Sequence, residues 1–214
     1  VNIPPAEFIP VAEEMGIIVN IGYWTLRKCC QTLSNWLQMG LKLEKISVNV
    51  SVSQCRDANF HENVLKIIAE SQLDPQKVML EITEGVLMED KERMKDLFKR
   101  FNAAGIGIAI DDFGTGYSSL AYLKDFPIDV LKIDKSFIDN LESEERNQAI
   151  VRGIARLGEI LDMAIIAEGV EKKEQLRILR DLGVRLIQGY IFSPPLFEEE
   201  FYELCTSHTL TLPL

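Results

Sequence analysis

Seven side chains in this sequence have the types and spacing to do chemistry on a phosphate ester: Asn49, Glu81, Asp111, Asp112, Lys132, Glu168 and Gln188. The first four offer oxygen ligands only, which suits hard Mg²⁺ or Mn²⁺ rather than zinc or copper. Adjacent Asp111 and Asp112 matter most, because one carboxylate can bridge two ions about 3.5–4 Å apart while its neighbour holds the second. Paired ions of this kind clamp the attacking and leaving oxygens in phosphoryl transfer. Lys132 adds a positive charge that can orient a water or steady growing charge on phosphate oxygens. Glu168 and Gln188 can hold that water or the ligands in place.

Each of these residues also has a plain structural reading. An Asp-Asp pair is commonly a solvated turn or a helix cap, and Glu81 in L-E-I-T-E fits the outward face of a half-exposed strand. Lys132 and Asp134, two apart, could form an ion pair on one strand. Common placement separates the two readings. Periodicity predicts strands at Ile46–Val50, Val78–Thr83, Ile106–Ile110, Asp129–Ile133, Ala164–Ala167 and Val184–Gln188, and each carries a polar group at or just beyond its C-terminal end.

Helical patterns over Pro5–Met15, Ile21–Met39, Phe60–Ser71, Lys91–Ala104, Ser118–Lys124, Glu145–Leu161 and Glu171–Leu182 alternate with those strands. Gly105 and Gly183 stand where a left-handed residue would end a helix. The βα alternation fits an open doubly wound sheet or a (β/α)₈ barrel. In a barrel every C-terminal strand end faces one mouth, whereas in an open sheet the outer strands would contribute nothing, so the barrel is the expected fold. Six strands do not close it, and two more are expected upstream of Val1, where the chain opens without an initiator Met.

Of the 214 residues 47% are hydrophobic and 26% charged, enough for a sizeable core and too apolar for disorder. The formal net charge of -10 opposes duplex DNA or RNA binding by electrostatics alone. No apolar run approaches the roughly 20 residues that span a bilayer. Cys29, Cys30, Cys55 and Cys205 lack CxxC spacing and the two histidines, His61 and His208, are far apart, so neither a disulfide framework nor a zinc site is expected and a reducing cytoplasm suits the chain. Gly114-Thr115-Gly116 lacks the GxxxxGK[ST] of a P-loop, and Asp112-Phe113-Gly114 comes without the HRD loop of a kinase. The glycines after Asp112 permit a sharply turned loop, either a lid or a plain helix-capping turn.

Seven blocks carry a resemblance along the chain: P-P-A-E-F-I-P-V-A-E-E at 4–14, S-V-N-V-S at 47–51, L-E-I-T-E at 80–84, D-D-F-G-T-G-Y-S-S-L at 111–120, P-I-D-V-L-K-I-D at 127–134, A-E-G-V-E at 167–171 and Q-G-Y-I-F at 188–192. In this order they resemble the EAL domain family, bacterial phosphodiesterases that linearise cyclic di-GMP to pGpG. The resemblance implies a TIM-like α/β barrel with one antiparallel strand, two Mg²⁺ or Mn²⁺ ions and hydrolysis by a metal-activated water. It makes Asn49, Glu81 and Asp111 ligands of one ion and Asp111 with Asp112 holders of the other. Lys132 is similar to the family's catalytic lysine, and Glu168 and Gln188 match positions that support the water and metals. Glu84 resembles the glutamate anchoring the loop after Asp112, and Glu171 matches a position near the substrate.

The family's naming Glu-Ala-Leu, followed by an arginine, lies on a strand before the P-P-A-E-F-I block. The expectation is therefore that 1–214 is an EAL domain lacking its N-terminal strands, with those residues upstream. The resemblance also implies a homodimer and an upstream sensory or GGDEF-type domain, in a cytoplasmic setting that includes membrane-attached bacterial proteins. The rival expectation is a receptor that binds cyclic di-GMP without cutting it. A purely structural or dimerising domain with no nucleotide is a third reading, and it would not preserve Asn49, Glu81 and Asp111.

Overall fold

A computed structural model describes residues 3–116 and 123–207 of the chain. These fall into two compact units, one running through Ile108 and the other from Ala109 onward. The expected helix over Ser118–Lys124 and the end of the glycine-bearing loop, Tyr117–Ser119, lie almost wholly outside the described residues.

The first unit opens with helices α1 (Pro5–Glu14) and α2 (Ile18–Gln38), followed by strand β1 (Ile46–Asn49). α2 begins one turn earlier than the apolar spacing suggests. Next come α3 (Val52–Arg56), α4 (Phe60–Glu70), β2 (Val78–Thr83), α5 (Glu84–Leu87) and α6 (Lys91–Ala103). β1 and β2 pair in parallel with Asn49 opposite Glu81, and the Val50 N–H continues the ladder to the Glu81 carbonyl at 2.8 Å. Their core is built on Leu33, Phe60, Ile68, Leu80, Phe98 and Phe101, all 1% exposed, each contributing roughly 1.5–3 kcal/mol by leaving water. Phe60 and Phe101 meet edge to face with centroids 5.5 Å apart.

The second unit holds the C-terminal part of β3 (Gly107–Phe113), then β4 (Val130–Ile133), α7 (Lys135–Ile138), α8 (Glu145–Leu161), β5 (Ala164–Ala167), α9 (Lys173–Asp181), β6 (Leu186–Ile187) and α10 (Glu198–Thr206). β3, β4, β5 and β6 lie side by side in that order, each pair parallel. The helices between β4 and β5 and between β5 and β6 are the crossovers that parallel pairing requires. All four residues of β4 are buried, the near-continuous apolar burial of a strand covered on both faces.

Three strands start later than their sequence patterns, and two of them share a reason. At the end of α6 the Gly105 N–H donates to the Asn102 carbonyl and the Ile106 N–H to the Phe101 carbonyl, with Gly105 at φ +88. At the end of α9 the Gly183 and Val184 N–H groups do the same toward Arg180 and Leu179, with Gly183 at φ +91. This helix-ending pattern uses the N–H that would have opened the ladder. β3 therefore begins at Gly107 rather than Ile106, and β6 at Leu186 rather than Val184.

Among the described residues no helix is long and apolar enough to cross a membrane.

Candidate functional site

β3 does not stop at Ile110 but runs on to Phe113, so Asp111 and Asp112 lie within the strand and not beyond it. Pairing with β4 steps from Ile110 opposite Leu131 to Phe113 opposite Ile133, which leaves two aspartates facing one residue, Lys132. This is a β-bulge, and Asp112 takes the left-handed conformation at φ +52 that Asp tolerates better than most residues. In a regular strand neighbouring side chains point to opposite faces. The bulge breaks that alternation, and the carboxylates of Asp111 and Asp112 converge with that of Glu168, one oxygen of each lying within 4.8 Å of the others.

Lys132 sits on β4 with its side chain 3% exposed. A buried ammonium requires compensating partners, and it has them: its Nζ lies 3.0 Å from Asp111 Oδ1 and 2.6 Å from Glu168 Oε1. Glu168 follows the last residue of β5, and its backbone N–H still donates to the Ile133 carbonyl at 3.1 Å, which fixes it beside β4. Asp134 does not pair with Lys132 as the two-residue spacing allowed. It is instead the N-cap of α7, where its carboxylate accepts from the Ser136 N–H at 3.0 Å and from the Ser136 hydroxyl.

Partial burial pushes the Asp112 carboxyl above the usual carboxylate range, and the neighbouring charges of Asp111 and Asp134 and a hydrogen bond with Asp134 add to it against the opposing Lys132. A divalent cation relieves such crowding, and the carboxylate oxygens of Asp111, Asp112 and Glu168 are the hard donors that Mg²⁺ and Mn²⁺ take. The donor set fits a divalent ion.

Gln188 follows β6. Its N–H donates to the Ala167 carbonyl at 2.8 Å and its carbonyl accepts from the Val170 N–H at 3.2 Å, with the side chain exposed. Glu171 is engaged away from Lys132, its Oε1 lying 2.6 Å from Lys135 Nζ. In the first unit Asn49 and Glu81 stand opposite each other at the ends of β1 and β2, the glutamate 7% exposed, and Glu84 is buried at the first position of α5. Lys135 escaped the sequence reading as a neighbour of the site, whereas Asp134 was read as a partner of Lys132. The only available signal for Lys135 was its place three residues after Lys132.

The EAL domain family model matches residues 2–195. A bifunctional diguanylate cyclase/cyclic di-GMP phosphodiesterase, MucR of Pseudomonas aeruginosa, is 40% identical over 198 residues, covering 92% of this chain and 29% of its own length. The structure of the PaMucR phosphodiesterase in complex with c-di-GMP is 40% identical and superposes with a TM-score of 0.89, over 93% of this chain and 81% of that one. The Klebsiella pneumoniae BlrP1 structure with manganese and c-di-GMP is 28% identical at a TM-score of 0.80, over 91% and 49%. The chain spans about a quarter of the length of the curated relatives it matches. The fold expected from the sequence, part of a TIM-like α/β barrel, is the one this similarity supports.

Proposed function

The chain belongs to the EAL domain family, and on that premise we propose that it is a metal-dependent phosphodiesterase that hydrolyses cyclic di-GMP to linear pGpG. The observation carrying this reading is the buried Lys132 ammonium, paired to both Asp111 and Glu168 beside the Asp111–Asp112 bulge. Such a cluster joins a fixed positive charge to a carboxylate set fit for divalent ions. The c-di-GMP bound by PaMucR, and the manganese with c-di-GMP bound by BlrP1, support the choice of ligand and ion.

In this reading Asn49, Glu81 and Asp111 would hold one Mg²⁺ or Mn²⁺ ion, and Asp111 with Asp112 would hold the other. Bound there, the ions would acidify a water and neutralise charge on the phosphodiester. Glu168, steered by its Lys132 contact, accepts the water's proton on a carboxylate oxygen, and Lys132 steadies charge that grows on the phosphate. Gln188 orients the water, Glu84 anchors the loop that follows Asp112, and Glu171 lies toward the substrate. Residues 1–214 act as one EAL domain, in a homodimer and beneath an upstream sensory or GGDEF-type domain, in keeping with the greater length of the relatives.

The test is chromatography of cyclic di-GMP after incubation with the full-length protein in Mg²⁺ or Mn²⁺, with a metal-free control. Metal-dependent appearance of pGpG is the expected result. Intact substrate from a folded protein that still binds cyclic di-GMP would replace the enzyme with a receptor.

A further inference from the structure

Lys132 and Glu168 come from separate strand-to-helix passages, and a hydrogen-bonded clasp joins those passages behind them. Gln175, the third residue of α9, is 2% exposed. Its Oε1 accepts from the N–H groups of Glu171 and Lys172, both at 2.9 Å, and its Nε2 donates to the Ile138 carbonyl at 3.0 Å. Three of the four hydrogen-bonding places of the amide are thus used out of contact with water. Ile138 ends α7, the helix entered directly after Lys132 and Asp134. Glu171 closes the turn that begins at Glu168.

A second tie lies on the outside of the same turn. Gly169, at φ +67, leaves room for the stem of Lys135, whose Cγ would be 2.4 Å from a Cβ at that position, and Lys135 Nζ reaches Glu171. That pair is about half exposed on both sides, so solvent screens it and it holds geometry weakly. The buried, well-bonded amide is the rigid element of the two.

We propose that Gln175 is a positioning residue for the reaction: its side chain fixes the Glu168–Glu171 turn to α7 and so sets the Lys132–Glu168 contact. The inference rests on the phosphodiesterase reading for its kinetic arm only. Displacing a reacting group by about 1 Å costs on the order of 10²-fold in rate.

The test uses the full-length protein with Gln175→Met, which keeps volume and loses every hydrogen bond, and Gln175→Glu, which keeps the acceptor. In Gln175→Met the Glu171 and Lys172 amides should exchange with solvent about ten times faster or more while those of α8 stay protected. Its kcat should fall roughly 10–100-fold with KM nearly unchanged. Gln175→Glu, which keeps the acceptor for both amides but loses the donor to the Ile138 carbonyl, should leave those amides protected and still lose kcat as Gln175→Met does. Unchanged amide exchange in Gln175→Met, freed amides with unchanged kcat, or a Gln175→Glu variant with wild-type kcat would each overturn the proposal. Should Gln175→Met not fold, Gln175→Asn, one methylene too short to span both segments, is read by the same criteria. A wild-type protein without turnover refutes the phosphodiesterase reading, and the exchange rates then decide the clasp by themselves.

Discussion

Lys132 Nζ lies 2.6 Å from Glu168 Oε1, a contact made between a strand interior and the residue just past the end of its neighbour. The lysine is the more deeply buried partner, 3% exposed against 15%. Removing one member of a buried pair leaves the other's charge uncompensated, which costs on the order of 3 kcal/mol. Lys132→Met should therefore lower the melting temperature as well as turnover, the latter by roughly 10²–10⁴-fold for the loss of a group acting on the transition state. Calorimetry alongside initial-rate kinetics checks both. Turnover within threefold of wild type would remove Lys132 from the reaction.

Asp111 touches Lys132 and also converges with Asp112 and Glu168. Asp111→Asn keeps shape and removes the charge, so titration calorimetry should show Mn²⁺ binding weakened by tenfold or more. Turnover should fall with it, and chelation of wild-type protein should abolish turnover. Equal Mn²⁺ affinity in the variant would take Asp111 out of the ligand set.

Asp112 supplies a pH dependence with a definite sign. Its carboxyl is raised by partial burial first, then by Asp111 and Asp134. In chelator the folded state therefore holds this proton to higher pH than the unfolded chain does. The group's contribution to stability is full below the ordinary carboxylate range and is lost as pH rises through the raised value. Asp112→Asn should melt like wild type near pH 4 and above it near pH 7. A gap that stays constant or narrows with rising pH would refute this electrostatic account.

Much of this architecture was legible in the chain because apolar periodicity and helix-ending glycines are local signals. α8 over Glu145–Leu161 and β2 over Val78–Thr83 fall where the pattern put them. The late starts of β3 and β6 have a common origin, since whether the N–H of Ile106 or Val184 serves a helix end or a ladder is decided by geometry and not by residue type. Helices α3, α5 and α7 span only four or five residues, too few to show a period, and went unseen. Residue types pointed to the candidate site, whereas the bulge that turns Asp111 and Asp112 toward one point is a backbone event that an Asp-Asp pair does not announce. Gln175 gave no signal either, because an isolated polar residue in a helix reads as solvent-facing.

Gly189 offers a test of how tightly the end of β6 is held. A Cβ there would lie 2.2 Å from the Val170 carbonyl oxygen and 2.4 Å from its nitrogen, both backbone atoms. Neither atom is free to retreat, because the Val170 N–H donates to the Gln188 carbonyl at 3.2 Å and its own carbonyl accepts from the Ile191 N–H at 2.9 Å. Gly189→Ala must break one of these bonds or shift the segment that carries Gln188. A net hydrogen bond and the overpacking together amount to about 2–4 kcal/mol, or roughly 4–16 °C in melting temperature for a domain of about 200 residues. Because Gln188 moves with the backbone, turnover should fall at temperatures where the variant is still folded. A variant that melts with wild type and turns over at its rate would mean that the 188–191 segment yields freely, and that Gln188 is not held by the fold in the place its assigned role requires.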